Sequence, residues 1–302
     1  MKNNIVSAII TCYNGESFLG KALESVLSQS YQQFEIIVVD DGSSDNTRAV
    51  ASRYPNINYI YQDNQGVSVA RNNGMIESKG KYLVFLDHDD ILLPNSLKLG
   101  VDYLDANPEC GFVYGYVRVI GADGKPLQKQ LRQHLSEPAN YKTTLEGKGL
   151  VPSGAVMFRR SVVESLGGFG CSKTLSQDYD LYLQISRNFP IYCNNQIVLE
   201  YRRYGENTTA RMGVKRTLER TMRSLERQRP YVMSNLEYKA AYLRGKKAWL
   251  DKLGPCLASE MAGNLKRGQL TKAAQVTLFM LKYYPQGFLK YAGELLSKLT
   301  YT

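Results

Sequence analysis

The chain has 302 residues, 43% of them hydrophobic, which allows one large domain or two of ordinary size with a full core and excludes a disordered polypeptide. Its net charge of +10 is unevenly spread: from Arg211 onward 18 Lys and Arg stand against 6 Asp and Glu, and before it 20 stand against 22. No run approaches the ~18 apolar residues of a membrane-spanning helix, and no cleavage-site pattern follows the N-terminus, so the sequence reads as cytoplasmic. Five scattered cysteines without a C-x-x-C pair read as reduced thiols, and two histidines leave little for a zinc site or a Ser-His triad.

The first hundred residues alternate between two kinds of segment. IVSAIIT (5–11) predicts a buried strand ending in the turn Tyr13-Asn14-Gly15, and SFLGKALESVLSQS (17–30) carries Phe18, Leu19, Ala22, Leu23, Val26 and Leu27 at helical spacing. FEIIVVD (34–40) predicts a second strand, followed by a helix with Ser44 or Asp45 as its cap. INYIYQ (57–62) predicts a third strand, VSVARNNGMIES (67–78) a helix and KYLVFLD (81–87) a fourth strand. Unbroken apolar strands alternating with helices predict a parallel sheet covered on both faces. Ligands of such sheets bind where the carboxyl ends of the strands converge. Further along, FVYGYVRV (112–119) and SGAVMFRR (153–160) predict strands, and LSQDYDLYLQIS places Asp178 and Asp180 just ahead of or within an amphipathic helix.

Strand four runs into Asp87-His88-Asp89-Asp90. Carboxylates crowded at a strand end repel one another and resist desolvation, so they tend to persist where a cation or cationic ligand binds. The alternative is a helix N-terminus, with Pro94 and SLKLGVDYL forming the helix whose dipole the acids would favour. Asp40-Asp41-Gly42-Ser43, after strand two, and Thr11–Tyr13, after strand one, would share the same rim. Such a rim suits Mg²⁺ or Mn²⁺ bridging to substrate phosphates. Neither a Walker loop nor G-x-G-x-x-G is present. The residues by themselves reach a metal-dependent enzyme or binder of a nucleoside diphosphate compound.

The series IITCYNG, LESVLSQSYQQFEIIVVDDGSSDNT, NQGVSVARNNG, GKYLVFLDHDD, SGAVMFRRSVVESLGGF and QDYDLYLQI, spread over about residues 5–210, resembles the family 2 inverting glycosyltransferases. The resemblance implies a GT-A fold: an α/β, Rossmann-like, mostly parallel sheet flanked by helices, over residues 1–210. Residues 1–100 would form the nucleotide-binding half and 101–210 the acceptor half. It implies transfer of a sugar, hexosyl or N-acetylhexosaminyl, from a nucleotide-sugar donor, UDP-linked, to a glycan or lipid-linked acceptor. By resemblance, Thr11 and Tyr13 line the base pocket, Asp41 accepts from the base imide with Asp40 supporting the loop, and Arg71 lies over the nucleotide, with Asn64 and Gly66 shaping the loop before it. Asp89 would ligate Mn²⁺ or Mg²⁺, Asp87 would face the ribose or the metal's water shell, and Asp90 would orient the loop. Gly154 would let the backbone approach the donor sugar, Asp178 would be the catalytic base, and Asp180 a helix cap or an acceptor-side group. The chain departs from the family pattern at Gln177, where Glu is common, at Tyr204, where His is frequent, and at Cys12, where Pro is common. A sugar-nucleotide or glycan-binding module without turnover is the alternative reading, and a nucleotidyltransferase lacks its expected phosphate loop.

Residues 211–302 form a basic helical C-terminal extension: VKRTLERTMRSLERQRP closed by Pro230, then EYKAAYLRGKKAWLDKL, LTKAAQVTLFMLKYYP and GFLKYAGELLSKL. A solvated basic face, an anionic membrane surface and nucleic acid are the candidate uses. No nucleic-acid recognition module is visible. Lys and Arg interleaved with Tyr, Leu and Phe favour peripheral attachment at the inner face of the plasma membrane.

Overall fold

A computed structural model describes residues 4–131, 140–172, 174–205 and 212–289. The chain divides into two compact units, Met1–Thr144 with Lys148–Lys173 and Gln177–Tyr204, and Leu145–Gly147 with Thr174–Ser176 and Gly205–Thr302.

In the first unit, β1 (Val6–Cys12), β2 (Phe34–Asp41), β3 (Asn58–Gln62) and β4 (Tyr82–Asp87) pair in parallel in the order β3-β2-β1-β4. The sheet continues through β8 (Val156–Arg159), antiparallel to β4, then β6 (Phe112–Ile120) and β9 (Ile191–Arg202), which run parallel to each other. β5 (Ile91–Leu92) closes the edge against β9, and β7 (Pro126–Leu131) forms a hairpin with β6. The period of two sends alternate residues of each strand to opposite faces. Val6, Ala8 and Ile10 join Tyr82, Val84 and Leu86 in one buried layer, which α1 (Leu19–Leu27) and α4 (Ser96–Ala106) cover. Ile9, Leu83 and Phe85 face the other layer, with residues of α3 (Val67–Glu77), α6 (Arg160–Ser165) and α7 (Gln177–Asn188). The sheet is therefore covered on both faces.

Two elements differ from the sequence-based expectation. The helix after Asp45 is only α2 (Thr47–Ala51), started by Asp45 Oδ1, which accepts from the Thr47 N–H at 3.0 Å. The helix α4 does form behind Pro94, but β5 stands between it and Asp87–Asp90, and no acid lies in its first turn. The helix-dipole explanation of those carboxylates fails. Cys12 is buried, and none of the five cysteines forms a disulfide.

The second unit is helical: α8 (Val214–Glu226), α9 (Arg229–Val232), α10 (Leu236–Lys266) and α11 (Leu270–Tyr283). Its core is Leu218, Met222, Leu257, Met261, Ala273, Val276, Phe279 and Met280. Pro230 sits in the first turn of α9, where its missing N–H costs nothing. α10 runs through Pro255 instead of ending before it. Gly254, Leu257 and Met261 are buried on its inner face, and that packing outweighs the one lost backbone bond. The segment GFLKYAGELLSKL falls outside the described residues from position 290 onward.

Candidate active site

The rim is built by register. Thr11 lies opposite Asp87 on β1 and β4, Cys12 opposite Asp40, and Asp41 opposite Gln62 on β3. Thr11 Oγ1 donates to Asp87 Oδ1 at 3.4 Å. Tyr13, one residue past β1, keeps half its surface exposed.

Asp40 and Asp41 hold the loops around them. Asp40 accepts from the Ser43 N–H at 2.8 Å and from the Tyr59 hydroxyl at 2.6 Å. Asp41 Oδ1 accepts from Gln62 Nε2 at 2.7 Å and the Gln65 N–H at 2.8 Å, and Oδ2 from the Gly66 N–H at 2.8 Å. Gly42 has φ 81°, and a Cβ there would lie 2.8 Å from the Asn64 N, so only glycine lets the two loops touch. Asn64 itself is exposed on that loop.

Three successive residues of α3 fasten three parts of the rim. Asn73 Nδ2 donates to Gln62 Oε1 at 2.7 Å, and so supports Asp41 through Gln62. Asn72 exchanges hydrogen bonds with the Phe169 backbone, donating to its carbonyl at 2.9 Å and accepting from its N–H at 2.8 Å. Arg71, only 3% exposed, lies 5.0 Å from the Phe169 ring centroid. Its Nη2 donates to Asp87 Oδ1 at 3.0 Å and to Ser153 Oγ at 2.7 Å, and its Nη1 pairs with Asp178 Oδ1. A single buried guanidinium thus joins the acid at the end of β4 to the acid in the first turn of α7. Burial opposes its charge, but Asp178 and then Asp87 more than offset that and hold its pKa above the usual arginine range.

Asp178 and Asp87 each keep about a third of their side chain exposed, 33% and 37%. Burial raises the Asp178 pKa; Arg71 pulls it down and Asp87 pushes it further up, for a net rise. Burial also raises the pKa of Asp89, with His88 and a hydrogen bond from Tyr204 opposing and Asp87 adding. Asp90 is fully buried, accepts from the Arg202 N–H at 2.9 Å, and has its pKa raised well above normal by burial and by Asp89 and Asp87.

Thr11, Arg71, Asp87 and Asp178 are brought together, while Asp180 and Gly154 are placed otherwise. Asp180 is buried and accepts from Gln184 Nε2 at 2.9 Å, one turn along its own helix. A Cβ on Gly154 would come within 3.1 Å of Leu86 and Leu199, so its missing side chain lets the backbone pack against those two leucines. Sequence reasoning gave no role to Ser153, Gln62 or Phe169. Gln62, a polar residue at the end of a strand beside Asp41, carried a readable signal; Ser153 and Phe169 did not.

Among the described residues no group of three or more His, Cys, Asp and Glu could form a metal cage. Asp87, the last residue of β4, and Asp89, in the turn after it, carry hard oxygen donors of the kind that divalent cations take.

The model of the family "Glycosyl transferase family 2" matches residues 7–167. An uncharacterized glycosyltransferase of Rickettsia conorii is 33% identical over 212 residues, 68% of this chain and 35% of that protein, so the chain spans about a third of that relative's length. TuaG of Bacillus subtilis, named as a teichuronic acid biosynthesis glycosyltransferase, is 30% identical over 205 residues, 66% of this chain and 79% of TuaG. Among solved structures, S. aureus TarS 1-349 in complex with UDP superposes with TM-score 0.61 at 16% identity, over 80% of this chain and 70% of that one. The mannosyltransferase PcManGT of Pyrobaculum calidifontis, in complex with GDP-Man and Mn²⁺, gives 0.58 at 19%, over 95% and 85%. At those identities the structural likeness concerns the fold, which is GT-A. From the family match over more than half its length and relatives at 30% identity or above, the chain belongs to glycosyl transferase family 2.

Proposed function

We propose that the chain transfers a sugar, with inversion, from a UDP-linked donor to a hydroxyl of a glycan or lipid-linked acceptor in surface polysaccharide synthesis. The observation that carries this reading is the Arg71 bridge, which places a strand-end carboxylate, Asp87, and a partly exposed helix-start carboxylate, Asp178, around one cation. Asp178 takes the acceptor proton as the hydroxyl attacks the anomeric carbon. Its ion pair with Arg71 favours the ionised form and offsets part of the rise in pKa that burial brings. Tyr13 offers an exposed ring on which a base can stack, and the lone pair left on Asp41 Oδ2 can accept a uracil imide proton. Asp89 and Asp87 would hold Mn²⁺ or Mg²⁺, which supplies charge neutralisation to the departing diphosphate. A TarS structure with UDP and the name of TuaG agree in donor class and product class. The test is a thermal-shift panel of UDP-, GDP-, CDP- and TDP-sugars with Mn²⁺. The melting temperature should rise with one or more UDP-sugars, and a panel without any shift overturns the reading.

The pKa directions add a pH signature. Activity needs ionised Asp178, whose raised pKa puts the acidic limb of kcat/KM above the ordinary carboxylate range. Arg71 lowers that pKa, so Arg71→Gln should move the limb to higher pH, and Arg71→Lys should move it less. An unmoved limb in Arg71→Gln contradicts the assignment of Asp178.

We further infer that the helical unit attaches to anionic lipid. No helix among the described residues is long and apolar enough to cross a membrane. Leu270, Ala274, Leu278 and Leu281 recur along α11 as one exposed stripe, with exposed Lys282 at its edge. Apolar insertion beside positive charge is the chemistry of an interfacial helix. Leu278→Glu should release the chain from vesicles containing phosphatidylserine at low salt, while added salt should weaken wild-type binding. Co-sedimentation unchanged by either removes the membrane role.

A further inference from the structure

The last residues of β9 reach back to the acidic turn. Arg202 is 1% exposed. Its Nε donates to the Asp89 carbonyl and its backbone N–H to Asp90 Oδ1, both at 2.9 Å, and its Nη1 donates to the carbonyls of Gly121 and Ala122, both at 3.0 Å. Its guanidinium lies 4.7 Å from the Phe18 ring centroid, and the Phe18 ring lies 5.1 Å from that of Tyr204. The Tyr204 hydroxyl donates to the Asp89 carboxylate. One strand end therefore holds Asp89 twice, by its backbone through Arg202 and by its side chain through Tyr204.

A carboxylate in a turn can rotate about two side-chain bonds. A cation site needs one of those orientations, and every other orientation lowers affinity. Burying a guanidinium is costly unless its donors are used. Here Nε and Nη1 are used on main-chain carbonyls of two turns, which fixes the backbone carrying Asp89 and leaves its carboxylate to the Tyr204 hydroxyl. The Phe18 ring, in contact with both side chains, ties this arrangement to the chain that follows β1 and so to the loop of Tyr13.

We propose that Arg202 and Tyr204 are positioning residues for Asp89, setting the direction in which its carboxylate meets a divalent cation. The proposal rests on the reading of Asp89 as a cation ligand. It is tested on the full chain by calorimetric titration of UDP, once with Mn²⁺ and once with EDTA, beside the melting temperature. Tyr204→Phe keeps the ring that packs on Phe18 and removes only the hydroxyl. Expected is a loss of about tenfold in UDP affinity with Mn²⁺, with affinity in EDTA and the melting temperature unchanged. Arg202→Lys, which keeps the charge but not the planar fork, should lose affinity with Mn²⁺ as well. If it fails to fold, Tyr204→Phe decides alone. An unchanged Mn²⁺-dependent affinity in Tyr204→Phe overturns the proposal, and so does an equal loss in EDTA, which would mark a general structural contact. A wild-type chain whose UDP affinity ignores Mn²⁺ overturns the cation reading of Asp89 itself, and the positioning roles with it.

Discussion

Asp178→Asn should leave affinity for the sugar nucleotide within about twofold of wild type and cut turnover roughly 10²-fold or more, because a general base contributes that much to the chemical step. Asparagine keeps the shape of the side chain and can still accept a hydrogen bond from Arg71, yet it cannot take up the acceptor proton. Arg71 retains Asp87 and Ser153 as partners in the variant, so its guanidinium is not left buried without a counter-charge. The fold should therefore survive. Asp180→Asn is the companion: Asp180 is buried and accepts from Gln184, so the change should appear in stability and spare the chemical step. Single-turnover kinetics with calorimetric donor affinity separate the two. Wild-type turnover in Asp178→Asn, with an inactive Asp180→Asn, would place the base at the wrong carboxylate.

Asp89→Ala should abolish the divalent-cation-dependent part of UDP binding while leaving the melting temperature near wild type. The residue stands past the end of β4, in a turn that Arg202 fastens through the main chain, which the substitution leaves in place. Asp90→Ala should behave in the opposite way. Its carboxylate is fully buried and accepts from the Arg202 N–H, so its removal should lower stability by ~1–3 kcal/mol, the usual penalty for an orphaned buried donor. Two adjacent acids would then separate into a ligand and a brace. UDP with Mn²⁺ binding to Asp89→Ala as tightly as to wild type would remove Asp89 from the site.

Much of this was legible in the sequence for physical reasons. β1, β2 and β4 are buried on both faces, so they read as unbroken apolar runs, and the polar residues that end them stand out. β9 was not legible because Asn194, Asn195 and Gln196 interrupt it. They form a bulge between the pairs Tyr114–Cys193 and Tyr116–Ile197, with Asn195 at φ 57°. β5 has only two residues, too few for any pattern. α10 was cut short at Pro255 because propensity outvotes packing when only the sequence is in view. The Arg71–Asp178 pair joins residues 107 positions apart, and no periodicity connects them. The resemblance supplied both residues with separate roles, and the fold supplied the bond between them.

The proposed reaction is a single-base displacement at the anomeric carbon. It is tested most directly by proton NMR of the sugar released when the chain, with Mn²⁺, slowly transfers it from an α-linked UDP-sugar to water in place of the acceptor. The β anomer should appear first, and Asp178→Asn should release none on the same timescale. First appearance of the α anomer, or a donor that binds tightly and is never cleaved, would contradict it.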